Sequence, residues 1–234
     1  MKLEPVFGSA NDADKTKPMT KTSPSLSGTV VFLVVWPYYV NDFYLMAIPP
    51  SSQVLLWSLD LIFYTATPVI TLAFFLFQNR ISLSTLGLTR PLRFRTVAAG
   101  AVLGVVLLFS VHWNVEPILV TSFPRGPFHG YQFPPSGVQR LVLISYAVLS
   151  AALLEEAIFR GLVVRYLESR ISGSLTVVMV ASLLFGLMHW SQGIGFVLAM
   201  ALWAVIPTIW AMHSRRVWGP IIAHIVYYLL VLYA

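Results

Sequence analysis

The chain has 234 residues, 57% of them apolar and only 10% charged, a balance that excludes an ordinary soluble globular domain and points to a lipid bilayer. It contains no cysteine, which excludes disulfides, thiolate catalysis, cysteine-based zinc sites and lipidation of its own thiols. The formal charge of +6 does not signal a nucleic-acid partner, because the 15 Lys and Arg residues fall in short clusters between long apolar runs, as cytoplasmic loops of a membrane protein require.

Residues 1–27 are rich in Ser, Thr, Pro, Lys and Asp and lack apolar periodicity, so they read as a flexible polar tail that cannot bury enough surface to offset its ordering entropy. The apolar run that begins at Thr29 starts too late and runs too long for the core of a cleaved signal peptide; it reads as an uncleaved anchor. Seven segments, near residues 29–48, 53–77, 96–114, 140–167, 174–190, 193–212 and 217–233, approach the roughly 20 apolar residues that a spanning helix needs. Backbone groups in lipid must pair within a segment or around a closed barrel, and barrel-like alternation is absent. The expectation is an all-α, polytopic transmembrane helix bundle of about seven spans, forming a single domain over residues 28–234 behind the tail.

The basic residues test that count. One side of the membrane receives Lys2, Lys15, Lys17, Lys21, Arg80, Arg90, Arg93, Arg95, Arg165, Arg170, Arg215 and Arg216; the other receives only Arg125 and Arg140. This predicts an integral membrane protein with its N-terminus cytoplasmic and its C-terminus across the membrane, and the compact chain suits a bacterial inner membrane. Residues 115–139, with five prolines, are predicted to form the longest loop and to cover an entrance. The spacing of Gly100 and Gly104 would let the third helix approach a neighbour closely.

Ionisable groups at bilayer depth are costly, and there are few. Glu155 and Glu156 lie side by side in Leu-Leu-Glu-Glu-Ala-Ile-Phe-Arg. On a helix Glu156 shares a face with Arg160, four residues on, which suits a structural ion pair, whereas Glu155 is turned about 100° away toward the bundle interior with no local counter-charge. A carboxyl in that position is suited to general acid or base work, although ion pairing alone also accounts for an isolated intramembrane glutamate. His189 closes the fifth span and His224 lies in the seventh. In a hairpin turning near Ser172, Glu155 and His189 are each about 17 residues, or roughly 26 Å, from the turn, so they can face each other. His224 is roughly 12 Å of helix beyond Arg216; the three levels meet on the cytoplasmic side of the midplane if the helices around Arg165, Glu168 and Arg170 project beyond the bilayer.

Glu-Glu-x-x-x-Arg at 155–160, Phe-x-x-x-His at 185–189 and a last histidine at 224 in an apolar helix resemble the CPBP family, the CAAX-protease and bacteriocin-processing or Abi proteins. Phe159-Arg160-Gly161 and Ser182-Leu183-Leu184-Phe185-Gly186 also look like family phrases, and the resemblance covers about residues 85–234, the protease-like core. It implies a glutamic-type intramembrane endopeptidase without a cofactor. Glu155 and His189 would activate water, and His224 would hold that water or stabilise the oxyanion. Glu156 and Arg160 would support the motif helix, and Phe185 would pack one turn from His189. The family usually has Asn four residues after the last His; here that position is Tyr228, whose phenol can also donate a hydrogen bond. The implied partners are the bilayer and a membrane-bound protein or peptide substrate, whether a prenylated tail, a leader peptide or a C-terminal sorting segment.

Three other readings use the same residues. Two carboxylates and two histidines could bind zinc, though no HExxH helix supports a metalloprotease. A proton-coupled transporter could relay protons through Glu155, His189 and His224, but paired broken helices and an inverted repeat are missing. A catalytically inactive member could act as a membrane binder or immunity protein, a reading that Tyr228 encourages. Outside the motifs, Asp42 and Asp60 read as interfacial or interhelical hydrogen-bond partners, His112 and Glu116 as residues of the outer interface, His129 as a loop residue and His213 as part of a solvated turn. Trp36, Trp57, Trp113, Trp190 and Trp218 read as interfacial belts.

Overall fold

The computed structural model describes residues 26–49, 52–89, 92–128, 132–133 and 136–233. The predicted tail therefore lies almost wholly outside the described residues, as do His129 and Arg90. Seven helical rods make up the described chain: α1 (Gly28–Ala47), α2 (Gln53–Phe77), α3 (Phe94–Ser122), α4 (Gly137–Glu168), α5 (Ser174–Leu187), α6 (Ile194–Ser214) and α7 (Trp218–Tyr233). They fall on the seven segments expected from hydropathy, the third running further than expected, and the all-helical bundle is as predicted. By length and composition α2, α3, α4 and α6 can each cross a bilayer, while α5 and α7 are shorter apolar helices. The outer surface suits lipid: Phe77 and Phe94 are 88% and 85% exposed, and Val54, Val138 and Leu175 are similarly open.

Local chemistry sets the ends. Ser27 caps α1 by accepting a hydrogen bond from the Thr29 N–H, and α6 stops at Arg215 in the left-handed region, φ 58°. Three rods widen into π-helical turns, Leu61–Ala66 in α2, Leu108–Val115 in α3 and Ser150–Val163 in α4. Such turns are rare and concentrate at functional sites. One of them explains a difference from expectation. The third span does not stop near residue 114; it continues as helix through Ser122, because Pro117 sits in the first turn of the α-helix that follows the π-turn, where its missing N–H is not needed. The loop predicted over residues 115–139 is correspondingly shorter.

The close approach expected of Gly100 and Gly104 is realised between α3 and α7. A methyl group on Gly100 would lie 2.7 Å from the Gly219 carbonyl oxygen, and one on Gly104 would lie 2.5 Å from that of Ala223.

Contacts across the bundle sort the connections into two ends. At one end the turn after α2 meets the turn before α7, where the Val217 N–H donates to Gly87 O at 3.4 Å. Glu168 there pairs with both Arg165 and Arg215, and Gly28, the first residue of α1, lies against the Tyr166 hydroxyl. At the other end the Trp190 indole donates to Tyr39 O at 3.0 Å. The Gly126 and Phe128 N–H groups donate to Gln192 O and Ser191 O, and Trp57 donates to Gln132 O.

Candidate active site

The π-helical stretch of α4 carries the double-glutamate motif into the most enclosed part of the bundle, with Glu155, Glu156 and Arg160 at 3%, 0% and 1% exposure. Arg160 Nε lies 3.2 Å from Glu156 Oε2, the ion pair that the four-residue spacing suggested. The guanidinium also stacks on the Phe185 ring of α5, with its carbon 3.8 Å from the ring centroid, and Trp203 of α6 lies beyond it. The other oxygen of Glu156, Oε1, is 2.9 Å from His224 Nδ1 on α7. A carboxylate can only accept, so Nδ1 carries the hydrogen and the bond fixes the His224 ring with Nε2 as its remaining nitrogen. Glu156 therefore has two tasks, and sequence spacing disclosed only the pair with Arg160.

Glu155 takes a different partner. Its Oε1 accepts a hydrogen bond from the Tyr64 hydroxyl of α2, and its Oε2 has no hydrogen-bond partner among the described residues. His189 stands just past the end of α5, with Nδ1 3.2 Å from Phe185 O. The carbonyl accepts, so Nδ1 is the protonated nitrogen and Nε2 is the basic one. Phe185 thus does more than fill space one turn from His189: its carbonyl sets the histidine tautomer while its ring supports Arg160.

Glu155, His189, His224, Tyr228 and Phe185 all line one cavity of about 320 Å³. Tyr228 stands one turn beyond His224, their ring centroids 6.2 Å apart. Glu156 and Arg160 lie behind the wall and reach the cavity only through His224 and Phe185. The same wall includes residues from α1 to α3, outside the three motifs. Asp60 and Tyr64 come from α2, Asp42 from α1, and the His112–Glu116 pair, 2.8 Å apart, from α3.

The interhelical reading of Asp42 and Asp60 is realised. The Ser191 N–H donates to Asp42 Oδ2 at 2.8 Å, and Tyr146 of α4 donates to Asp60 Oδ2 at 2.8 Å while accepting from Thr65. Yet both aspartates face the candidate site, as do His112 and Glu116. Tyr64 and Tyr146 escaped notice because tyrosine in an apolar span reads as ordinary packing. The available signal was the four-residue spacing of Asp60 and Tyr64, which puts both on one face of α2. The cavity extends past the end of α5 to Gln192 and Phe128 and along α7 to Leu232, away from the arginine-rich turns.

Residues 135–230 match the family model of the Rce1-like type II CAAX prenyl endopeptidases. The matched region takes in α4 to α7 and all three motifs, and leaves α1 to α3 outside. No curated protein and no solved structure matches the chain.

Proposed function

We propose, for a chain whose residues 135–230 match the family model of the Rce1-like type II CAAX prenyl endopeptidases, that it is an intramembrane endopeptidase cutting a membrane-presented protein or peptide tail with water activated by Glu155 and His189. At the coarser level the family match over residues 135–230 supports a membrane protease. The observation that carries the finer reading is that a carboxylate from α4 and imidazoles from the end of α5 and from α7 share the wall of one cavity.

The chemistry follows from the partners of each group. Amide hydrolysis needs a base for the water, a donor for the developing oxyanion and an acid for the leaving amine. Glu155 Oε2 and His189 Nε2 are the two basic atoms left over by the bonds to Tyr64 and Phe185. One takes a proton from water as the oxygen attacks the carbonyl carbon, and the proton then passes to the leaving nitrogen as the C–N bond breaks. His224, its Nδ1–H held by Glu156, has Nε2 left to hold the water or, when that nitrogen carries a proton, to donate to the oxyanion, and Arg160 pairs with the same Glu156. The Tyr228 phenol, on the same wall with its ring centroid 6.2 Å from that of His224, is the second donor in this scheme. No metal takes part in this scheme.

The test is a comparison of membrane peptidomes from cells carrying the wild-type chain, Glu155→Ala or His189→Ala. Both variants are expected to insert normally and to lose every cleavage product that depends on the wild-type chain. Full activity in both would refute the assignment.

A further inference from the structure

The two ends of the bundle differ in charge, and the cavity reaches only one of them. Arg80 and Arg93 flank the turn between α2 and α3, Arg165 and Arg170 lie at the end of α4, and Arg215 and Arg216 precede α7. These turns meet through the Gly87–Val217 and Glu168–Arg215 contacts, so the arginines form one basic collar. Arg95 begins α3 beside them. At the far end the described residues include only Arg125 and Arg140. No residue of the collar lines the cavity, whereas Phe128, Gln192 and Leu232, which do, belong to the far end. Phe185, Trp203 and His224, which also line the cavity, are all buried.

An arginine-rich end of a helical membrane protein stays on the cytoplasmic side, because translocating short, strongly basic loops is disfavoured. Combining the two observations, we infer that the cavity opens on the face opposite the cytoplasm, and that its substrate is a segment of an exported protein presented from that face rather than a tail in the cytoplasm. The inference rests on the protease reading for the word substrate; the orientation of the cavity does not.

The cysteine-free chain makes the orientation directly measurable, since each introduced thiol is the only one. Ser136→Cys and Ser122→Cys mark the cavity end, and Ser169→Cys and Arg215→Cys the collar; all four positions are exposed. Each variant would be expressed in bacterial spheroplasts and treated with a membrane-impermeant maleimide before and after permeabilisation. The expected result is labelling of Ser136→Cys and Ser122→Cys in intact cells and of the collar variants only after permeabilisation. Collar labelling in intact cells, or no labelling of either cavity-end variant until permeabilisation, overturns the inference. The same labelling is expected in a Glu155→Gln background, so an inactive chain would leave the orientation standing. If the orientation holds and the chain is active, the wild-type-dependent termini in the peptidome map to exported segments. Termini confined to cytoplasmic tails overturn the substrate assignment alone.

Discussion

Glu156 on α4 and His224 on α7 are joined by a hydrogen bond of 2.9 Å between Oε1 and Nδ1, while the same carboxylate pairs with Arg160. This links the double-glutamate motif to the last histidine through a side chain outside the cavity itself. Glu156→Gln keeps an acceptor for His224 but leaves the buried Arg160 without its counter-charge. Breaking one side of a buried ion pair costs about 3–5 kcal/mol. The expected outcome is a large drop in unfolding temperature in detergent together with reduced cleavage; unchanged melting would show that Glu156 does not neutralise Arg160.

Tyr64→Phe isolates a contribution from the part of the chain outside the family match. The ring packs edge-on against Tyr38, with centroids 4.8 Å apart, and Phe preserves that contact while deleting the donor to Glu155. A net hydrogen bond is worth about 1 kcal/mol. The expected result is a kcat lowered about 5- to 10-fold with KM nearly unchanged and little loss of stability. A change confined to KM would place Tyr64 in substrate contact instead of in positioning Glu155.

How much of this was legible in the sequence depended on which physical signal each residue emits. The rods were legible because hydrophobic length is a property of contiguous residues, and the Glu156–Arg160 pair because helical spacing is local. The bond from Glu156 to His224 joins residues 68 positions apart, and nothing in the spacing of either helix specifies it. Tyr64 was invisible for the same reason, 91 positions from Glu155. A hairpin count locates residues relative to a turn, but it does not disclose which way the space between the helices extends. Here it extends to Phe128 and Gln192.

Tyr228 separates an active divergent member from an inactive one. Its phenol stands on the cavity wall one turn beyond His224, where the family pattern has an amide. If its hydroxyl donates to the oxyanion, Tyr228→Phe lowers kcat about 10²-fold, in the range of losing one oxyanion donor, whereas Tyr228→Asn retains most activity. Equal activity of Tyr228→Phe and the wild-type chain, measured on the products named by the peptidome, would remove Tyr228 from the chemistry.

The proposed use of protein bases alone separates this reading from zinc hydrolysis. Water activated by Glu155 and His189 needs no Lewis acid, so dialysis of purified protein against EDTA and 1,10-phenanthroline is expected to leave cleavage unchanged. Loss of activity that returns on adding zinc would instead make Glu155, His189 and His224 candidates for ligands.

The contact between α3 and α7 supports the site from behind. Gly104 faces α7 where a methyl group would lie 2.5 Å from Ala223 O and 3.0 Å from the Val226 side chain, and Ala223 immediately precedes His224. Neither a backbone oxygen nor a β-branched carbon can yield cheaply, so Gly104→Ala must push the rods apart. Overpacking of this kind costs about 1–3 kcal/mol. Because the shift falls beside His224, Gly104→Ala is expected to lower both the melting temperature and kcat, although Gly104 lines no part of the cavity. Gly173→Ala, at a position whose nearest neighbour is the Thr176 hydroxyl at 3.1 Å, is the matched control and is expected to leave kcat unchanged. Equal effects of the two substitutions would show that helix separation at α3 and α7 is not transmitted to the site.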